Sequence, residues 1–370
     1  MFNHLQNKRF MLIGVFPKNF SNEDILSELE ELDALVKTYG GQVFALSVQK
    51  AYSPSSATYL RSGKLQDTTD LIEKEKIDIV VVKDPLRSGQ MYTLEKIFQQ
   101  ANPQIQVWDK IFLILRIFDL HAQTADAKLQ IKIASLRHLG PRLFGMGYVL
   151  SRQTGGIGTR GIGETNTEIM KRHWRNEIYT MKMKIKNLET DRMQQIDRRR
   201  KIGLRTLSIV GYTNSGKTTL FNLLTKKNKQ ADNKLFVTLD STSGKLFLPK
   251  LNETVLLTDT IGFIRNLPPV LIDSFKSTLM ESINADLILH VIDISDKEMH
   301  YKIEVVEKIL NEINVKNAAK ILVFNKTDVD NSYDRKELIN RYPDYPLIFI
   351  SALKNEGISD LYKEIEKKVN

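Results

Sequence analysis

The segment Gly211-Tyr-Thr-Asn-Ser-Gly216-Lys217-Thr218 constrains this chain more than any other feature in it. It matches the spacing G-x-x-x-x-G-K-[ST], which needs a strand before it and a helix after it. An apolar run, Thr206-Leu-Ser-Ile-Val210, stands in front, and a helical pattern follows. In such a turn the glycines let consecutive backbone N–H groups approach a phosphate chain, and the helix N-terminus adds a favourable dipole. Gly211 and Gly216 are expected to give the close approach, with Tyr212, Thr213, Asn214, Ser215 and Thr219 lining the turn. Lys217 would reach the β- and γ-phosphates, and the Thr218 hydroxyl would ligate Mg²⁺.

Three further elements follow in order, each at the end of a short apolar run. Asp259-Thr260-Ile261-Gly262 comes after Val255-Leu-Leu257 and offers a carboxylate to the metal and a glycine N–H to a γ-phosphate. Asn325-Lys326-Thr327-Asp328 comes after Ile321-Leu-Val-Phe324, and Ser351-Ala352-Leu353 after Leu347-Ile-Phe-Ile350. This set, in this order, implies a GTPase domain of the translation-factor class, with GTP and GDP as ligands. Asp328 would accept from guanine N1–H and its 2-amino group, a donor pair that adenine lacks. A metabolic kinase with the same phosphate loop has no use for Asn325 to Asp328.

The chain of 370 residues is long enough for two or three domains. Apolar runs at Met11–Phe16, Gln42–Val48, Ile77–Val82 and Ile105–Trp108, separated by helical spacing such as Asp24–Lys37, predict an N-terminal α/β domain over 1–118. A helical hairpin of coiled-coil-like character is expected over 119–203. Its first helix would run over Asp119–His138, its glycine-rich loop over 139–163, and its second helix over Glu164–Lys201. Trp174, Ile178, Met181, Ile185 and Leu188 form a seam with steps of four and three, which intramolecular packing explains. A C-terminal P-loop GTPase domain with a mainly parallel sheet is expected over 204–370.

The net charge of +10 is not spread evenly. Residues 1–118 hold 14 basic and 14 acidic side chains, residues 207–370 hold 22 of each, and residues 119–206 hold 18 basic against 8 acidic. That concentration points to a polyanionic partner. Arg142, Arg152 and Arg160 lie on or near the glycine-rich loop, which has no acidic residue between Leu139 and Gly163. RNA offers phosphates and stackable bases to such groups. A protein-docking adaptor would not need this charge, and DNA is not expected as a partner. A solvated helix face is the bland alternative. The absence of cysteine excludes disulfides, thiolate zinc sites and iron–sulfur clusters, and fits a reducing cytosol. The polar N-terminus lacks the apolar core of a signal peptide, and Ile111–Phe118 is too short to span a bilayer. A cytoplasmic protein is expected, with at most weak peripheral association with membranes, and a monomer when free.

At this point the sequence resembles the HflX family of ribosome-associated GTPases over nearly its whole length. The residues that carry the resemblance are Pro141-Arg142-Leu143, Ser151-Arg152 and Gly155-Gly-Ile-Gly-Thr-Arg-Gly-Ile-Gly-Glu164-Thr165. Leu235-Phe236-Val237-Thr238-Leu239-Asp240 is similar to the family's first switch, which implies Thr238 as a second hydroxyl ligand of Mg²⁺. Asp259-Thr-Ile-Gly-Phe-Ile-Arg-Asn-Leu-Pro268 is similar to its second switch. Lys217, Thr238 and Gly262 are then the groups expected to act on the γ-phosphate, and Thr218, Thr238 and Asp259 those expected to hold the metal. The resemblance implies binding to the large ribosomal subunit, with ribosome splitting or rescue in some members.

Some features depart from the family or qualify it. Ser241-Thr-Ser-Gly-Lys245 lacks the expected proline and arginine pair, and the extension that some members carry after the last helix is expected to be absent. The family's reported ATP use finds no phosphate loop in residues 1–118, where Leu60-Arg-Ser-Gly63-Lys64 reads as a turn. Phe263 stands where many GTPases have a water-orienting glutamine, which predicts slow intrinsic hydrolysis completed by a partner. Asn214 is the residue type that helps hold K⁺ in related GTPases, and it also suits the turn for local reasons.

Overall fold

The computed structural model describes residues 8–153, 160–227, 235–236, 242–260, 262–265, 271, 279–280, 282–313, 315, 318–329 and 334–369. The chain divides into two compact units, one of residues 1–120 with 131–183 and one of residues 121–130 with 184–370.

The first unit is built on four parallel strands, β1 (Arg9–Phe16), β2 (Gln42–Lys50), β3 (Ile79–Val82) and β4 (Gln106–Asp109), in the order β2-β1-β3-β4. Strands β1 and β3 are almost continuously apolar and buried, as strands covered on both faces must be. The crossovers are α1 (Asn22–Tyr39), α2 (Ser62–Glu75) and α3 (Ser88–Phe98), and α4 (Lys110–His121) follows β4. Ser21 and Asp24 form a capping box at the start of α1, the Asp24 N–H donating to Ser21 Oγ at 3.0 Å and the Ser21 N–H to the Asp24 carboxylate at 3.2 Å.

Two expectations fail in this region. Gly63 and Lys64 lie in the first turn of α2 rather than in a free turn. The connector's first helix does not begin at Asp119: α4 continues to His121, and a new helix, α5 (Ala125–Gln153), starts after a short break. The fully buried Asp109, at the end of β4, fixes part of α5. Its carboxylate accepts from the Leu86 N–H at 3.1 Å and the Phe112 N–H at 2.9 Å, and lies 2.9 Å from His138 Nε2 on α5.

The long partner of α5 is α6 (Arg160–Lys201), 42 residues and so about 63 Å at 1.5 Å per residue. In the first unit the Trp174 indole N–H donates to the Leu136 carbonyl at 3.2 Å, and Lys132 pairs with Glu177 at 3.0 Å. In the second unit Arg192 pairs with Asp126 at 3.2 Å. Residue numbers rise along one helix as they fall along the other, so the pair runs antiparallel. The loop expected over 139–163 is narrower: α5 extends to Gln153 and α6 begins at Arg160. Leu136, Leu139, Leu143 and Leu150 keep helical spacing through the glycines, and that spacing prevails. Residues 154–159 lie outside the described set. Met181 is buried as the seam requires, but Leu188 is 41% exposed, so the seam fades before the end of α6.

The second unit holds six strands in the order β10-β9-β8-β5-β7-β6: β5 (Thr206–Val210), β6 (Thr242–Leu248), β7 (Glu253–Asp259), β8 (Leu287–Asp293), β9 (Ala319–Asn325) and β10 (Leu347–Phe349). All neighbours are parallel except β6 and β7, which form an antiparallel edge with Thr242 opposite Asp259. Its described helices include α7 (Lys217–Thr225), α8 (Met299–Glu312), α9 (Arg335–Arg341) and α10 (Ile358–Val369). Leu220, Phe221, Leu224, Leu361 and Ile365 pack onto the core-facing residues of β5, β7, β8 and β9. This packing sets the start of α7 at the carboxyl end of β5, where ligands sit in open α/β sheets.

Candidate nucleotide site

The turn from β5 into α7 needs glycine at two places. A Cβ on Gly211 would run into the Val291 carbonyl oxygen of β8, and one on Gly216 into the Asn325 side-chain nitrogen. Gly216 also has φ +93°, a left-handed value that glycine adopts without strain. Asn214, at φ +63°, uses the tolerance of asparagine for the same region, which is the local reason anticipated for it.

Lys217 is 6% exposed, and its Nζ donates to the Tyr212 carbonyl at 2.6 Å. Burial lowers its pKa to about 8; nearby Asp259 works the other way, and Lys326 adds to the lowering. The Thr218 hydroxyl donates to the Asp259 carboxylate at 3.0 Å. Ser215 Oγ and Thr213 Oγ1 are buried without a hydrogen-bond partner among the described residues. A buried hydroxyl left unpaired costs about 1–3 kcal/mol, so two of them in one loop mark a place shaped for a polar ligand.

The second-switch segment begins on this loop. The Phe263 N–H donates to the Gly211 carbonyl at 3.1 Å, and the Thr213 N–H donates to the Phe263 carbonyl at 2.7 Å. Phe263 is fully buried, so the residue in glutamine's place is core. Thr260 is buried too, its hydroxyl donating to the Ile209 carbonyl at 2.7 Å.

At the other end, Asn325 is 3% exposed and bridges two loops. Its amide donates to the Ser215 carbonyl at 2.9 Å and accepts from the Ala352 N–H at 2.9 Å. Asp328 stands beside Ser351, whose hydrogen bond holds its carboxyl below the ordinary range. Lys326 pairs with Asp293 at 2.6 Å. Leu353 is 81% exposed and does not wall the site. Phe236 is buried, while Val237, Thr238, Leu239, Asp240 and Ile261 lie outside the described residues.

The sheet therefore gathers the phosphate loop, Asp259, Gly262, Asn325, Asp328 and Ser351 at one edge. Sequence reading passed over Asp293, whose only signal was its place at the end of β8. Among the described residues no group of three His, Asp or Glu side chains could hold a metal ion.

Three family models match successive parts of the chain: a GTP-binding GTPase N-terminal region over residues 26–119, a GTP-binding GTPase middle region over 121–199 and a 50S ribosome-binding GTPase over 206–326. GTPase HflX of Caldanaerobacter subterraneus is 40% identical over 98% of this chain and 81% of its own length. The chain belongs to the HflX family of GTPases. GTPase HflX of Escherichia coli K12 is 34% identical over 95% of the chain and 81% of its own length. A GTP-binding protein of Sulfolobus solfataricus, solved with GDP, superposes with a TM-score of 0.52 at 25% identity, covering 98% of this chain and 99% of that one. Membership makes this protein a GTP-binding enzyme that hydrolyses GTP, in agreement with the motifs. No described helix is long and apolar enough to cross a membrane.

Proposed function

We propose that this HflX GTPase acts on the large ribosomal subunit, using GTP to set its affinity for ribosomal RNA. The observation that carries the reading is the joining of a guanine-nucleotide site to a connector that holds the whole net charge, 18 basic against 8 acidic residues over 119–206. Arg172, Arg175, Lys182, Lys184 and Lys186 are exposed on α6, in keeping with a phosphate-facing helix. In this scheme a three-part division at about residues 118 and 203 separates recognition from hydrolysis, and the protein works in the cytoplasm beside the ribosome.

At the nucleotide, the phosphate-loop N–H groups and Lys217 would hold the β- and γ-phosphates, and Asp328 with Ser351 would read the guanine. Oxygen donors suit Mg²⁺, and Thr218 with Asp259 would hold it, joined by Thr238 from the first switch. When bound, the ion neutralises charge on the phosphates. Gly262 would offer its N–H to the γ-phosphate. No water-orienting side chain stands at Phe263, so the catalytic geometry would be completed by the ribosome. Asn214 is the candidate for K⁺, tested by comparing rates in potassium and sodium buffers.

Co-sedimentation with purified large and small subunits, in GTP, GDP and no nucleotide, tests this reading. Binding should be strongest to large subunits with GTP. If about five basic residues contact phosphates, a fourfold rise in salt should weaken binding by roughly two to three powers of ten. Alanine at Arg152 and Arg160 should weaken it while leaving GTP affinity intact. A shallow salt dependence with normal binding by these variants would instead favour a protein-docking adaptor.

A further inference from the structure

Helix α6 carries an aromatic ring that its packing against α5 does not use. The seam runs through Trp174, Ile178, Met181 and Ile185, with Met181 buried and the Trp174 indole N–H bonded to the Leu136 carbonyl of α5. Tyr179 follows Ile178 by one residue, about 100° around the helix, and is 64% exposed. Arg175 stands four residues before it and Lys182 three residues after it, so both are its neighbours on the helix surface. Both are exposed as well.

Two hollows adjoin at this point. One of about 460 Å³ lies between α5 and α6, with Arg137, Lys171, Trp174 and Arg175 in its lining. The next, of about 410 Å³, has Arg175, Tyr179 and Lys182. Arg175 and Ile178 line both, so the two form one groove on the outer side of the helix pair. Four cations and two rings share it, and among the described residues no carboxylate lines either hollow. Glu177, the one acidic residue between Lys171 and Lys182, pairs with Lys132 at 3.0 Å.

The cations alone would suit any polyanion, but the rings narrow the choice. A duplex keeps its bases stacked and offers phosphates and sugars, whereas an unpaired nucleotide also offers the face of its base. Aromatic rings set among basic side chains hold single strands by stacking on those faces, and guanidinium planes add to it. We propose that this groove binds unpaired nucleotides of RNA, Tyr179 stacking on a base while Arg175 and Lys182 hold the flanking phosphates. It rests on the RNA-binding reading given above and deepens it: the helix pair selects looped or single-stranded RNA over helical RNA.

The test uses the full chain with a short unstructured RNA carrying 2-aminopurine, a base whose fluorescence is quenched on stacking, and with a blunt RNA duplex. The wild-type protein should quench the probe. Tyr179→Ala should weaken binding of the unpaired RNA by about fivefold or more, abolish the quenching and leave duplex binding within about twofold. Tyr179→Phe, which keeps the ring, should stay close to wild type, and Tyr179→Leu, which keeps only apolar area, should behave as the alanine variant does. Lys182→Ala should weaken both RNAs alike, as a phosphate contact must. Equal loss for both RNAs in Tyr179→Ala, or unchanged binding of the unpaired RNA, would overturn the stacking site. Wild-type affinity in Tyr179→Leu would overturn it too, in favour of an apolar protein contact. Co-sedimentation separates this from the underlying reading. A wild-type protein that binds large subunits yet leaves the probe unquenched overturns the stacking site alone, and one that quenches the probe yet binds no subunit overturns the ribosome reading alone.

Discussion

Asn325 ties the phosphate loop to the loop after β10: its amide donates to the Ser215 carbonyl and accepts from the Ala352 N–H, each at 2.9 Å. The two loops are 110 and 27 residues away from it in sequence. Asn325→Ala would leave both buried partners unpaired, at about 1–3 kcal/mol each. GDP and GTP affinity should fall together, and the melting temperature should drop. A normal melting temperature with lost binding would assign Asn325 to direct base contact instead.

Asp328 should behave differently. It is partly exposed, and Ser351 orients it. Asp328→Asn replaces a paired acceptor by one acceptor and one donor, so preference should move from GTP toward XTP with little change in stability. Titration with both labelled nucleotides checks this. A variant that still prefers GTP would remove Asp328 from guanine recognition.

The lowered pKa of Lys217 gives a pH signature. Burial depresses it to about 8, so the ligand-free protein sheds this proton as pH rises through that value. A bound polyphosphate favours the ammonium and raises the pKa again. Binding therefore takes up a proton above pH 8. Nucleotide affinity should be flat below about pH 8 and then fall by up to about tenfold per pH unit. The unfolded chain holds the proton up to its ordinary pKa, so ligand-free stability should rise over the same window. Lys217→Met should abolish binding and flatten the stability profile. Isothermal titration between pH 7.5 and 9.5 in buffers of different ionisation heat measures the proton uptake.

Phe263 predicts a negative result. Its ring is fully buried, so placing glutamine there does not place it near the γ-phosphate. Phe263→Gln should destabilise the domain by about 1–3 kcal/mol through a buried amide. Single-turnover hydrolysis by the free variant should be no faster than wild type. Large subunits should accelerate the wild-type protein well above its free rate. A faster free variant would show that the ring had merely displaced a working glutamine.

The nucleotide edge was legible because each of its motifs abuts a strand end: Val210, Asp259, Asn325 and Ile350 are all placed as their apolar runs implied. Tyr212 and Arg265 are 53 residues apart, and only the fold brings them into contact. Gly63 and Lys64 read as a turn because Thr68 and Ile72 are the only buried side chains of α2, too sparse a face to show periodicity. Strand β6 is not among the strands the sequence predicts. Its alternation, with Gly244, Leu246 and Leu248 buried and Lys245 and Phe247 exposed, spans only five residues. At 139–153 the glycines outweighed the leucine spacing in the reading, and the helix follows the leucines.

The antiparallel edge makes a remote turn into a gauge. The pairing of β6 with β7 runs from Leu248 opposite Glu253 to Thr242 opposite Asp259, seven residues or about 24 Å of ribbon. The tight bend between these strands includes Asn252 in the left-handed region, at φ +52°. Side-chain alternation forbids a one-residue slip, so the bend fixes how far the strand leading out of the first switch reaches along β7. Two residues added there would displace that strand's beginning by nearly 7 Å from Asp259. Chain length at the far tip of a hairpin thus sets whether the two groups proposed to carry the metal can meet.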